Sequence, residues 1–368
     1  MAIQSQPEIV VESVELDPVV VATLPRLGRW RLNVTLAYML RRFGLYLVTL
    51  WGAFTASFLF FRLIPGDPIG SIVAQMEQQG QYGGQGGSEA IVAYYRTVFG
   101  LDGNLFDQYV HYLNRVVLYG DFGPSIVSYP VPASALILRA LPWTLGLLGS
   151  ATLLAWAVGV CGGTLVGWSR RSRSAGLVTN LALLLSHVPA YFVALFFVFF
   201  FAYQHALLPA NSAYEASLTI GWNAPFVASV IQHAVIPVAA TALVGACNWL
   251  ITTRVLVVNV LGEDYLTFAT AKGLPTGSIL FRYVMRNAWL PQITALGITL
   301  GAVINGNVLV ERLFNYPGIG NLLINAIQIK DVNTAQGIVI LLIFFVLTLN
   351  LAIDLCLPLL DPRVKYIR

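Results

Sequence analysis

The chain has 368 residues, 57% of them hydrophobic and only 10% charged, with a mean hydropathy of +0.73 and a formal net charge of +4. Soluble domains carry about a quarter charged residues, so water is excluded as the main solvent. The small positive excess follows the apolar stretches along the chain and gives no case for a nucleic-acid partner.

Residues 1–42 hold Glu8, Glu12, Glu15 and Asp17 and then a basic run, with no helical apolar periodicity before Trp30. They read as a tail ending in a short interfacial helix. Six stretches then match the about 20 residues that a helix needs to cross about 30 Å of hydrocarbon. They are Phe43 to Phe61, Trp143 to Trp168, Leu177 to Tyr203, Phe226 to Ile251, Ala288 to Val310 and Gln336 to Leu360. The first is too long for a signal peptide, lies deep in the chain and lacks a cleavage site of small residues. Pro189 and Pro237 lie inside the third and fourth stretches. Both are expected to kink their helices, which membrane helices tolerate. The fold class is therefore an all-α polytopic membrane protein with six transmembrane helices.

Residues 62–142, between the first two spans, are too polar to cross and too long for a turn, so they predict an extracytoplasmic subdomain. Gln75 to Gly87 is rich in Gln and Gly, whereas Phe106, Tyr109, Leu113 and Val116 recur at helical spacing and predict an amphipathic helix over Phe106 to Tyr119. Residues 143–360 form a five-helix core, and residues 361–368 a second tail. Gly159, Gly163 and Gly167, and again Gly297 and Gly301, place small residues one turn apart, a pattern that lets membrane helices approach closely. Cys161, Cys247 and Cys356 share no ligand spacing and read as buried packing.

Arginine and lysine concentrate in alternate connections. Arg26, Arg29, Arg31, Arg41 and Arg42 precede the first span, and Arg170, Arg171 and Arg173 lie between the second and third. Arg254, Lys272, Arg282 and Arg286 lie between the fourth and fifth, and Arg363, Lys365 and Arg368 close the chain. The other connections hold fewer bases, so both termini are expected on the cytoplasmic side of a cytoplasmic (inner) membrane.

The connection between the fourth and fifth spans carries the run from Gly262 to Pro275. Glu263 and Asp264 stand where the helix dipole favours negative charge, Lys272 stands at the other end, and Gly273 with Pro275 supplies a stop. This predicts a short cytoplasmic helix. Ala269 and Gly273 lie one turn apart on a side free of bulk, beside the larger Tyr265 and Phe268, so a groove in another protein could receive it. An interfacial helix lying on lipid is the alternative.

The run from Glu263 to Gly273, followed by Arg286-Asn287-Ala288-Trp289-Leu290-Pro291, resembles the EAA loop of ATP-binding-cassette importer permeases, in the form of the dipeptide, oligopeptide and nickel branch. The loop spans residues 262–291. Ile64-Pro65-Gly66-Asp67-Pro68, Gly120-Asp121-Phe122-Gly123 with Ser125, and Leu141-Pro142-Trp143-Thr144-Leu145 are similar to that branch's first permease subunit. So are Glu311, Phe314, Pro317-Gly318-Ile319-Gly320, and the closing Asn350, Asp354 and Asp361-Pro362-Arg363. Tyr265 and Leu266 stand where the wider family has alanines.

The resemblance implies an ATPase-coupling site of Glu263, Asp264, Tyr265, Ala269, Ala271, Lys272 and Gly273. Its implied partners are a second homologous permease subunit, two ATPase subunits and an extracytoplasmic solute-binding protein. No cofactor is expected in this chain, and ATP and Mg would be bound by the partner ATPases. Di- or oligopeptides are favoured as solute by the branch alone, with nickel complexes, short sugars and opines left open.

Other functions fit less well. The chain lacks a G-x-x-x-x-G-K-[ST] phosphate loop, and none of its three lysines precedes Ser or Thr. His111, His187, His205 and His233 are scattered, and neither H-E-x-x-H nor G-x-S-x-G occurs, so no intramembrane enzyme is indicated and the subunit is expected to be non-catalytic. An ion-coupled carrier or channel is the alternative function. Asp354, one turn after Asn350, is the clear acidic residue within a span, and a structural pairing is favoured for it over ion binding. A possible solute path runs along the fifth span. Asn305 and Asn307 carry amides that lipid cannot satisfy, Gly306 opens room between them, and Glu311 is expected near the outer mouth. Interhelical hydrogen bonding is the competing role for the two asparagines.

Overall fold

The computed structural model describes residues 27–63, 92–94, 96–100, 102–126, 128–303 and 306–360, and leaves the side chains of residues 27–37, 353, 354 and 356–360 undescribed. Residues 1–26, the Ile64 to Pro68 motif, the Gln75 to Gly87 stretch, Asn305 and the closing residues 361–368 lie outside the described residues. So do the side chains of Asp354 and Cys356. Among the described residues the regular structure is helical, with one isolated antiparallel bridge between Pro124 and Pro132.

Helix α1 (Leu27–Leu63) begins well ahead of the predicted span, so residues 27–42 are helical and continuous with it. No proline follows Pro25 until residue 65 to interrupt the run. Helix α2 (Leu105–Tyr119) is the predicted amphipathic helix. Asn104 caps it by accepting the Asp107 N–H at 2.9 Å, and Gly120 ends it at φ 61°. Tyr109, Tyr112, Leu113 and Val116 pack against Phe54 and Phe58 of α1, and the Tyr109 hydroxyl meets Thr55 Oγ1 at 2.7 Å. Phe106, expected on this face, is instead 72% exposed. Tyr112 takes the central place because positions 109, 112, 113 and 116 form the tighter stripe on a 3.6-residue period.

The Gly120-Asp121-Phe122-Gly123 motif is a folded corner. Asp121 pairs with Arg115 at 2.5 Å and accepts the Gly123 N–H at 2.9 Å. Burial works to raise the Asp121 pKa, but the Arg115 and Gly123 hydrogen bonds and the Arg115 charge outweigh it and hold the carboxyl below its ordinary value. Phe122 enters the core beside Ile137 and Ile338. Ser125 donates to the buried Asp331 carboxylate at 2.5 Å, which also accepts from Thr334.

Helix α3 (Ala133–Trp168) starts ten residues before the predicted span and carries Pro142 inside it. At 1.5 Å per residue its 36 residues reach about 54 Å, longer than the about 30 Å of hydrocarbon. The predicted span from Leu177 to Tyr203 is two helices, α4 (Arg173–Ser186) and α5 (Ala190–Phe197, continued by a π-helical turn to Gln204), bent by 98°. Pro189 therefore breaks this element and does not merely kink it. Proline disfavours helical geometry at Val188, and Pro189 itself, at φ −58° and ψ 135°, serves as the N-cap of α5. Helix α6 (Ala224–Val260) is capped by Asn223 and passes through Pro237 unbroken.

Helices α3 and α6 run parallel and in close contact because of the glycine triple. A Cβ on Gly159 would lie 2.5 Å from the Ala246 carbonyl oxygen, one on Gly163 2.5 Å from that of Leu250, and one on Gly167 2.8 Å from Val257 Cβ. Of the second pair only Gly301 is so used, against Leu349, while Gly297 faces open space. Cys247 is buried as expected, but Cys161 is exposed.

Helix α7 (Asp264–Ala271) follows α6 directly. Residues 276–284 wind through a helical turn and a π-helical segment into α8 (Met285–Ala302). Helix α8 stops eight residues short of the predicted end at Val310. Gly306 at φ +74° and Asn307 at φ −120° and ψ 84°, outside helical geometry, separate it from α9 (Val308–Leu313). Helices α10 (Ile319–Gln328) and α11 (Val332–Leu360) complete the bundle. Among the described residues four helices are long and apolar enough to cross a membrane, or five if the bent pair is one span. The predicted fifth span is not among them, since α8 carries Arg286, Asn287, Gln292 and Thr294 within its 18 residues.

Candidate functional site

Helix α7 owes its definition chiefly to its C-terminal end. Glu263 takes the N-cap place, though its side chain makes no capping bond. At the other end the Leu274 N–H reaches the Ala269 carbonyl at 3.3 Å and the Gly273 N–H reaches that of Thr270 at 2.9 Å. This is a Schellman stop, with Gly273 left-handed at φ +71°.

Leu266 and Ala269, three residues apart, are buried at 5% and 4% exposure in a cluster with Val257 of α6, Val284, and Ala288 of α8, against which Trp168 of α3 also packs. Ala269 is therefore part of the chain's own core and not of a face offered outward. The exposed members of the predicted set are Glu263, Asp264, Tyr265, Ala271, Lys272 and Gly273. Phe268, 71% exposed, joins Asp264 and Ala271 on the outward stripe and was not singled out for it. The helical period alone could not place it: only once Leu266 and Ala269 are seen to be buried do 264, 268 and 271 fall on the far side. The loop also closes on itself, since Asn287 Nδ2 donates to the Tyr265 hydroxyl at 3.0 Å. A further bond, from Trp289 Nε1 to Thr164 Oγ1 at 2.9 Å, joins α8 to α3.

The second predicted group, along the fifth span, is divided. Asn305 lies outside the described residues. Asn307 is an N-cap, its Oδ1 accepting the Val310 N–H at 3.3 Å. Glu311, expected near an open mouth, is fully buried. Its carboxylate accepts from Thr144 Oγ1 at 2.9 Å, the Gly320 N–H at 2.7 Å and the Asn321 N–H at 3.2 Å, so it caps α10 from a different helix. Thr144 Oγ1 in turn accepts the Ile319 N–H at 2.8 Å. Gly318 has no room for a side chain, since a Cβ there would lie 2.6 Å from Glu311 Cδ and from Thr144 Oγ1. Phe314 and Tyr316 close the knot, with Trp143 edge-on to Tyr316 at 5.8 Å and stacked on Tyr214 at 5.5 Å. From the two motif segments Thr144, Glu311, Phe314, Gly318, Ile319 and Gly320 thus meet in one buried unit, while Pro142, Leu145 and Pro317 stay exposed. Sequence spacing could not show this, because 167 residues separate Thr144 from Glu311.

Two open clefts flank the knot. One of about 430 Å³ is walled by Trp143, Phe226 and Tyr316, the other of about 390 Å³ by Asn315, Asn321 and Asn325, and Arg139 lines both. Among the described residues no group of three His, Cys, Asp or Glu side chains is placed to hold a metal ion.

Residues 159–366 match the family model described as binding-protein-dependent transport system inner membrane component. The chain is 33% identical over 313 residues to the probable peptide ABC transporter permease protein y4tP of Sinorhizobium fredii, covering 84% of this chain and 93% of that one. It is 28% identical to the glutathione transport system permease protein GsiC of Shigella flexneri and to the dipeptide transport system permease protein DppB of Escherichia coli, each covering 90% of this chain and 99% of the relative. With its helical bundle, its apolar spans and a family match over more than half its length, the chain belongs to the binding-protein-dependent transport system inner membrane components, the permease subunits of ATP-binding-cassette importers.

Proposed function

We propose that this chain is the translocating subunit of an importer of di- or oligopeptides. It pairs with a second homologous permease subunit, and two ATPase subunits, which hold ATP and Mg, drive the pair. An extracytoplasmic binding protein delivers the solute. The chain itself supplies no catalytic group. The peptide class is supported by the relatives, whose names carry peptide, dipeptide and glutathione.

The observation that carries the ATPase contact is the two-sidedness of α7. Asp264, Phe268 and Ala271 face outward, while Leu266 and Ala269 are packed on the ends of three longer helices. A rigid-body push on that stripe would reach α6 through Val257, α8 through Ala288 and Asn287, and α3 through Trp168. Glu263, Tyr265, Lys272 and Gly273 form the rim of the docking surface. Arg254, Lys272, Arg282 and Arg286 gather in this part of the chain, which supports a cytoplasmic α7 and, with it, cytoplasmic termini.

The test is to purify the complex with its native partners and measure which solute, presented by the binding protein, stimulates ATP hydrolysis. Short peptides are expected to do so. Orientation is checked separately by Thr270→Cys, which should stay unreactive toward an impermeant thiol reagent applied outside intact cells.

A further inference from the structure

Arg139 stands at the second turn of α3, exposed, on the wall shared by the two clefts beside the Glu311 knot. Among the described residues no acidic side chain pairs with it and no hydrogen bond engages its guanidinium. The neighbouring carboxylate, Glu311, is consumed by Thr144 and two backbone N–H groups and is sealed from solvent. A second guanidinium, that of Arg312, borders the polar cleft through Asn321 and Asn325 at 3.2 and 2.7 Å and is held by amide oxygens alone. Neither cleft is lined by an acidic side chain, and the exposed Glu215, next to Tyr214, accepts a hydrogen bond from Ser217 and lines neither. On one side of Arg139 the cleft wall is aromatic, and on the other it is lined with amides. Each cleft is of a size that holds a small molecule.

From this juxtaposition we propose that Arg139 anchors the carboxylate of the solute as it enters the permease, with the aromatic cleft receiving an apolar side chain and the amide cleft receiving backbone groups. A guanidinium offers a carboxylate two parallel N–H donors, and it forms such a pair most readily where no internal anion competes. The proposal rests on the peptide-importer reading and on the outward placement of this end of the bundle. A phospholipid phosphate presents the same oxyanion chemistry, so the test distinguishes the two sources.

The complete complex, reconstituted in vesicles, is assayed for uptake of dialanine and of dialanine amide, each supplied at a concentration that saturates the binding protein. Arg139→Gln is expected to slow uptake of dialanine about tenfold or more, the loss of one charge-assisted pair, and to change that of the amide less than about twofold. Arg139→Lys should recover part of the dialanine rate. The assignment is overturned if Arg139→Gln slows both peptides equally or neither. It is also overturned if the defect appears only in vesicles containing anionic phospholipid, which would assign the guanidinium to lipid. Wild-type complex that takes up neither peptide would defeat the peptide reading itself and this proposal with it, an outcome distinct from a normal wild type whose Arg139→Gln variant behaves alike.

Discussion

Gly273 and Gly318 are both glycines of motif segments, yet they answer opposite physical demands. Gly273 sits left-handed at φ +71° with nothing within 4 Å of the place a Cβ would occupy. Gly318 has φ −90° and ψ 176°, a backbone any residue adopts, but its Cβ would strike Glu311 and Thr144. The first glycine is required for its conformation at an open surface, and the second for its size in a closed interior. The same contrast runs through their surroundings. Around α7 the polar groups are outside and the backbone satisfies itself, whereas around Glu311 the polar side chains are inside because the first N–H groups of α10 are buried and need an acceptor. The α7 end leaves its polar groups in the open, and the Glu311 end encloses them.

Substitutions at the two glycines should separate accordingly, and the largest effect is expected at the open one. Gly273→Trp should abolish transport and solute-stimulated ATP hydrolysis while membrane yield stays near wild type. The left-handed backbone costs about 1–2 kcal/mol with any side chain, and the indole adds bulk to the outward face. Gly273→Ala carries the same backbone cost without the bulk and should retain most transport. Uptake at the wild-type rate in Gly273→Trp would remove α7 as the docking helix.

Gly318→Ala should behave in reverse. Its methyl group has no space, and overpacking costs about 1–3 kcal/mol before the displaced Glu311 bonds are counted. The expected result is a sharp fall in yield and melting temperature, with whatever complex assembles still selecting the same solute. A stable Gly318→Ala complex with altered selectivity would make the knot part of the path and erase the contrast.

The open end was the more legible of the two in the sequence. The limits of α7, its charge placement and its stop all follow from local rules, and the observed Asp264–Ala271 helix with left-handed Gly273 matches them. What local rules could not supply was which side faces inward, so Ala269 was assigned to the wrong face. The glycine triple on α3 was likewise legible, because close approach needs only small residues one turn apart. The knot was not. Glu311 and Asn307 looked like polar groups in a span seeking water, when their partners are backbone N–H groups of neighbouring helix starts that the sequence does not mark. The break at Pro189 and the early end of α8 were missed for a related reason. Apolar residues flank both places, while the interruption depends on one proline at the first and on Gly306 with Asn307 at the second.

A smaller effect tests the knot from the acid side. Glu311→Gln keeps the shape but removes the charge that two N–H groups and Thr144 share, and should destabilise the subunit by about 1–3 kcal/mol. Thermal melting of the purified complex measures it. Thr144→Val should be coupled to it, the double variant losing less than the two single losses added, because both act on one hydrogen-bonded unit. Strict additivity would mean that the two residues do not act together.

The smallest expected change is at Asn307, and it decides between two roles. As an N-cap, its Oδ1 accepts the Val310 N–H at 3.3 Å, and it stands between Gly306 and α9 in a backbone geometry outside the helix. Losing such a cap costs about 1 kcal/mol, so Asn307→Ala should lower the melting temperature modestly. Serine can make the same bond, so Asn307→Ser should recover most of the loss, and both variants should keep the wild-type solute preference. A residue that lines the solute path would respond otherwise. There the amide itself would meet the solute, serine would be too short to replace it, and selectivity or transport-coupled ATPase activity would shift in both variants without a matching change in stability. Recovery of melting temperature by serine with unaltered selectivity therefore assigns Asn307 to the closed end of the molecule, alongside Glu311. Altered selectivity in a stable Asn307→Ser complex would return it to the path and extend the open surface from the Arg139 clefts toward α8.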